Sequence, residues 1–366
     1  MKLPPFLLDR WLHDHEAVEF NLGGSTGPHW TLGEVLDLEE GSRDRLFGAD
    51  VVYAPSAGAR GLREAIARMQ GVEAEHVLVV AGGSEALLHL FFAAAAPGTN
   101  VIVPFPGFPP YAAIPEALGI EVRPYHLRRD AAYRLDFDEV ERLADSRTAL
   151  LLVNSPHNPT GATLDEQETR RLHDFAADRR IQFVSDEVFH PIYHGRRGAS
   201  AAALPQATVL GDLSKAFSLS GLRLGWIVER DDERRARYLN ARQYFTISNT
   251  VIGEHVAEIA VRRRDTILGR TLEVARTNLR HADALLADQK DFLDWVRPEG
   301  GMTGFPRFVS GDDTRPFCEE AARRGLLLVP GDCFGVPDHF RLGFGACRDA
   351  FPAAMERLAT VLTVCR

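Results

Sequence analysis

The sequence predicts an α/β protein: a large domain built on a mostly parallel sheet, with a second, smaller α+β domain. Three observations carry this. From about residue 60 to 230, short apolar runs alternate with helix-spaced runs, the signature of βα units. After about residue 232 the character changes to long Arg-rich helical stretches and then short strands. The 366 residues, 45% of them hydrophobic, suffice for a large core in one or two domains. The expected division is an N-terminal arm with part of the small domain (1–45), a large domain (46–245), and a linking helix with the C-terminal small domain (246–366).

The elements follow in order. "GLREAIARMQ" has helical spacing, "HVLVVAGG" reads as a short buried strand, and "SEALLHLFFAAAA" as a helix that Ser84 is placed to cap. "NVIVPFPGF" is a strand running into a loop, and "TALLLVNSPHNPTG" a strand ending in a Pro/Asn turn. "DEQETRRLHDFAADRR" is an amphipathic helix, and "IQFVSDEVF" and "ATVLGDLS" are buried strands. Near the end, "GMTGFPRFVS", "GLLLVPG" and "HFRLGFG" read as short strands, with a helix between the first two.

Bulk properties exclude several function classes. A net charge of -9 argues against nucleic acid as the main partner. No apolar run approaches the roughly 20 residues that span a bilayer. The opening "MKLPPFLLDRWLHDHE" turns charged too early for a signal peptide, so a cytoplasmic location is expected. The four cysteines, Cys318, Cys333, Cys347 and Cys365, fit neither a zinc knuckle nor a redox pair and read as reduced thiols. No metal site is expected: the "HDHE" run reads as a solvated helix end.

In an open α/β sheet, ligands bind beyond the carboxyl ends of the strands. Gly82, Gly83, Ser84, Asn154, Asn158, Asp186 and Lys215 all fall there. Each has an ordinary reading: a tight turn, a helix cap, a solvated charge. Together they suggest more. A lysine at a strand end can be partly desolvated, which lowers its pKa and makes its amine a nucleophile for an aldehyde. "GGSEALL" offers a helix N-terminus to a phosphate, and Arg223 a planar fork. Asp186, at the end of "IQFVS", could hold a proton on a heteroaromatic nitrogen. A Schiff-base lysine, a phosphate grip and a carboxylate for a ring nitrogen are what pyridoxal 5′-phosphate requires.

Seven motifs in one order resemble the class I/II aminotransferase family of fold-type-I pyridoxal-phosphate enzymes over nearly the whole chain. They are "YAPSAGARGLREAIA", "AGGSEALL", "PFPGFPPY", "NSPHNPTG", "SDEVF", "SKAFSLSGLRLGW" and "HFRLGFG". The resemblance implies that Lys215 carries the cofactor as an imine and later moves the α-proton, and that Asp186 pairs with the ring nitrogen. It implies Asn158 at the phenolic oxygen, Phe108 on the ring face, and Gly83, Ser84 and Arg223 on the phosphate, with Ser214 also at the cofactor. Arg341 would grip the α-carboxylate of a small amino-acid substrate, with Asn158 and Gly24 also at the substrate. Tyr53 would reach the phosphate of a neighbouring subunit, which implies a homodimer with shared active sites. Two positions depart from the commonest pattern: Phe189 stands where many relatives have a tyrosine donor, and Asp212 where many have a serine.

The fold does not choose the reaction. The first 40 residues lack the usual "G-x-P-D" and resemble the capreomycidine-synthase group, which cyclises hydroxylated arginine in peptide-antibiotic pathways. This implies β-elimination of water and ring closure. His29, between a proline and Trp30 in an expected loop, reads by default as a surface histidine; if that loop closes over the cofactor, it is a candidate acid for the leaving hydroxyl. The alternatives are an ordinary aminotransferase and a non-catalytic regulatory domain. The lysine, acid and carboxylate arginine argue against the last.

Overall fold

The computed structural model describes residues 2–365. Its centre is a seven-stranded sheet of β1 (Val77–Val80), β2 (Asn100–Phe105), β3 (Glu121–His126), β4 (Thr148–Asn154), β5 (Gln182–Asp186), β6 (Thr208–Asp212) and β7 (Gly225–Val228). The spatial order is β1-β7-β6-β5-β4-β2-β3. Strands β2 to β6 pair in parallel, while β7 runs antiparallel to both β1 and β6. Parallel strands covered on both faces need apolar side chains on both. Accordingly Val101, Ile102, Leu150, Leu151 and Leu152 are fully buried. At Gly211 a Cβ would lie 2.5 Å from the Trp226 ring, so only glycine lets β7 pack here.

The predicted helices lie between the strands, among them Arg60–Gln70, Gly83–Ala94 and Glu166–Asp178. Asp165 starts the last of these with a reciprocal capping box to Glu168. Ser84 is not a cap, contrary to the sequence expectation. Gly82 (φ 83°) occupies the cap position, and Ser84 lies inside the first turn. The carboxylate of Glu85 reaches back to the Ala81 N–H instead.

Beyond the sheet come the helices Asp232–Phe245, Val251–Arg262 and Arg264–Asp288. Short strands follow: Thr303–Gly304 and Val329–Pro330 both pair antiparallel with Phe340–Gly343. The strand Phe20–Asn21 pairs in parallel with Leu326–Leu327, so the first segment of the chain is joined to the last region. The helix Leu7–Asp14 is anchored there too: Leu8 and Trp11 are buried, and the Trp11 indole donates to the Leu328 carbonyl at 2.7 Å. Among the described residues no helix is long and apolar enough to cross a membrane.

Candidate active site

Strands β1, β4, β5 and β6 end on the same edge of the sheet. Their continuations carry Gly83, Asn158, Asp186 and Lys215 to the wall of one cavity of about 260 Å³. Arg341, from the strand Phe340–Gly343, closes a second side, and Phe6, Leu8, Asp9 and Leu12 line a third.

Lys215 Nζ donates to Ser25 Oγ at 3.0 Å. Burial pushes this amine below the usual lysine range, helped by the Arg341 and Arg223 charges and opposed by Asp212. Asp186 is buried at the end of β5. Tyr111 Oη donates to its Oδ2 at 2.7 Å and the Val188 N–H to its Oδ1 at 3.2 Å. Burial still raises its carboxyl to about 7. The Tyr111 hydroxyl is in turn pushed up by burial and by the Asp186 charge, so it stays a donor. Asn154 fixes the turn above: its Nδ2 donates to the Asp186 carbonyl at 3.0 Å, and its Oδ1 accepts from the Asn158 N–H at 2.9 Å.

Arg341 is buried, which lowers its pKa to about 10. Nη1 donates to Asn158 Oδ1 at 3.1 Å and Nη2 to the Gly23 carbonyl at 2.6 Å. Its Nε–H has no partner among the described residues. A buried cation with an unmet donor is a strong pointer to an anionic ligand.

At the opposite end stand the N-terminus of helix Gly83–Ala94, Ser84, Ser214 and Arg223, all on the cavity. Arg223 takes a left-handed backbone (φ 49°) that turns it back toward Ser214 Oγ, 3.4 Å from Nη1. Asp212 accepts from the N–H groups of Ser214 (2.9 Å) and Gly83 (3.4 Å). Two amides that could face a phosphate therefore face a carboxylate, as the departure at this position foreshadowed. The remaining donors, Ser84, Ser214, Arg223 and the helix terminus, suit a phosphate. With a desolvated lysine and a buried carboxylate in the same cavity, the donor set fits pyridoxal 5′-phosphate.

Of the residues singled out from sequence, Lys215, Asp186, Asn158, Phe108, Gly83, Ser84, Ser214, Arg223 and Arg341 share this cavity. Gly24 lies just beside it, between Gly23, whose carbonyl meets Arg341, and Ser25, which meets Lys215. Tyr53 is 80% exposed and away from the cavity of its own chain. His29 is exposed and does not line the cavity; its carbonyl accepts from Arg270 at 3.1 Å. Sequence reasoning missed Ser25 and the cavity-facing side of Leu7–Asp14, because nothing local marks either. Tyr111 could have been noticed in "PFPGFPPY", but its bond to Asp186 spans 75 positions.

Fold and site define a pyridoxal-phosphate-dependent enzyme, and the chain belongs to the class I and II aminotransferase family, whose model matches residues 32–362. Within that family it is similar to capreomycidine synthase from Streptomyces vinaceus. The two are 34% identical over 370 residues, which cover 98% of this chain and 94% of that one. Two solved structures are similar over 100% of this chain and 99% of their own. One is the PLP-dependent cyclase OrfR (TM-score 0.92, 30% identity), the other a PLP-dependent aminotransferase from Streptococcus suis (TM-score 0.93, 25% identity).

Proposed function

We propose that this enzyme removes water from a hydroxylated arginine and closes a cyclic guanidino amino acid, in an antibiotic pathway. The observation that carries the reading is the 34% identity to capreomycidine synthase across almost the full length of both chains. Pyridoxal 5′-phosphate, when bound, supplies an aldehyde for the substrate amine and an electron sink for charge at its α-carbon.

The chain's own residues do the rest. Arg341 holds the α-carboxylate through the Nε–H left without a protein partner. Asn158 gives its oxygen to Arg341, so its NH₂ is the end that serves the ring's phenolic oxygen. Phe108, on the cavity wall, would pack against the ring face. Asp186, oriented by Tyr111 and the Val188 N–H, keeps a proton on the ring nitrogen. Gly83, Ser84, Ser214 and Arg223 hold the phosphate. Lys215 takes the α-proton, its lowered basicity placing it nearer the working pH. We assign the proton for the departing hydroxyl to the same Lys215, through Ser25 at 3.0 Å, since His29 lies outside the cavity of its own chain. Phe6, Leu8 and Leu12 shield the cavity, so a guanidine nitrogen rather than water reaches the β-carbon.

The active unit in this reading is a homodimer. Val51, Val52 and Tyr53, and separately Tyr244, are strongly exposed large hydrophobics of the kind a second copy would cover, with Tyr53 reaching the partner's phosphate. The pairing of Phe20–Asn21 with Leu326–Leu327 supports a division near residues 45 and 245, with the arm belonging to the small domain. The four free cysteines suit a cytoplasmic location.

The test supplies a 3-hydroxyarginine or a dihydroxylated relative without any keto acid. A product lighter by one water with its α-nitrogen retained is expected. Transamination is the second reading, favoured by the likeness to the Streptococcus suis aminotransferase. Turnover that requires a keto acid and delivers the amino group to it would establish that reading instead.

A further inference from the structure

The cavity wall holds three carboxylates, and two are committed. Asp186 accepts from Tyr111 and the Val188 N–H. Asp212 accepts from the Ser214 and Gly83 N–H groups. The third, Asp9, has no hydrogen bond or ion pair among the described residues, although the chain forms many exposed Arg–carboxylate pairs elsewhere. It sits on helix Leu7–Asp14, whose buried Leu8 and Trp11 fix the helix against the C-terminal region while Asp9 faces the cavity.

The neighbours of Asp9 are informative. Phe6, 40% exposed, stands at the same mouth, its ring edge-on to Phe108 with centroids 5.9 Å apart. Deep in the cavity lie Lys215 and Arg341, with the exposed Arg223 at the phosphate end, so these cations suit carboxylate and phosphate. On the side formed by the N-terminal helix, the exposed Asp9 presents the opposite sign, with an aromatic face beside it. A planar cation meets both: its N–H fork matches a carboxylate, and its face stacks on an aromatic ring. We propose that Asp9, with Phe6, is the subsite for the substrate's guanidinium, and so the residue that selects arginine-type side chains over neutral ones of equal length. This rests on the arginine-derivative reading above. It also gives the N-terminal helix a role in recognition.

The ordinary role for a carboxylate in a helix's first turn is to complement the helix dipole. That role is blind to the substrate, which makes the two separable. The holoenzyme is titrated with L-arginine and with L-citrulline, following the cofactor's absorption. Neither ligand has a β-hydroxyl to lose, so binding is read apart from elimination. Wild type should bind arginine at least about tenfold more tightly than citrulline. Asp9→Asn should remove that advantage and leave citrulline unchanged, and Asp9→Glu should keep part of it. No preference in wild type would overturn the proposal, as would Asp9→Asn weakening both ligands alike or neither. Failure of the cyclisation reading shows separately, as wild type yielding no dehydrated product from a hydroxyarginine.

Discussion

The two walls of the cavity are built differently. The inner wall consists of strand ends: Asp186, Asn158, Asp212 and Ser214 are buried and each is held by at least one hydrogen bond. The outer wall is the eight-residue helix Leu7–Asp14 with Phe6 just before it; Phe6 and Asp9 are exposed, and Trp11 ties the helix down on its far side. A rigid sheet edge suits groups whose positions chemistry fixes within fractions of an ångström. A separately anchored helix can change its cavity-facing residues without disturbing that edge. On the proposals above, the chemistry common to the family sits on the first wall and the choice of substrate on the second.

The largest expected effect lies on the inner wall. Lys215→Ala should lower turnover at least ~10³-fold for any substrate, while the phosphate grip still retains cofactor. Borohydride treatment of wild type should abolish the yellow band and place the label on the Lys215 peptide. A label on another lysine would break the assignment of the inner wall to chemistry.

Asp186→Asn comes next, with a fall in turnover on the order of a hundredfold and a smaller change in cofactor retention. It also carries a pH signature. The folded carboxyl titrates near 7, raised from 3.8 by burial. Between these values the folded cofactor-free protein binds more protons here than the unfolded chain, so this residue's share of stability falls as pH rises from about 4 through 7. Melting temperatures of the cofactor-free protein should decline across that window, and Asp186→Asn should flatten the decline. A slope of the same size in both forms would show that the titrating group lies elsewhere.

The smallest effect sharpens the comparison inside the inner wall. Phe189 is buried on the cavity, and neither nearby tyrosine replaces the donor it lacks. Tyr111 is bonded to Asp186, and Tyr193, away from the cavity, lies 2.8 Å from His190 Nδ1. Phe189→Tyr would add a donor to the phenolic oxygen and weaken that oxygen's hold on the imine proton. The midpoint of the spectral pH titration should therefore move down, and an unchanged midpoint would show that the new hydroxyl faces away.

Much of the inner wall was legible in sequence because each of its residues follows a recognisable buried strand. Lys215, Asp186 and Asn158 could be placed by counting from apolar runs. The outer wall was not legible. Its Trp11–Leu328 anchor spans 317 positions, and the Lys215–Ser25 and Arg341–Gly23 contacts elsewhere in the site span 190 and 318. No local pattern encodes such pairs, because packing of distant segments decides them. The antiparallel β7, which begins in the last two residues of the lysine motif "SKAFSLSGLRLGW", was missed for a related reason: apolar spacing carries no strand direction. Ser84 misled because a serine before an apolar helical run is the commonest cap, yet here Gly82 supplies the turn.

The parallel pairing of Phe20–Asn21 with Leu326–Leu327 has a consequence for synthesis. The large sheet, complete by Val228, can assemble while the rest of the chain is still being made. The arm cannot, since its strand partner and the Leu328 carbonyl that anchors Trp11 emerge about three hundred residues after it. Arg341 emerges later still. A nascent chain would thus carry the lysine, the acid and the phosphate grip before it has a roof or a carboxylate clamp. Cofactor could be captured at that stage, but a substrate could be held only by the finished protein.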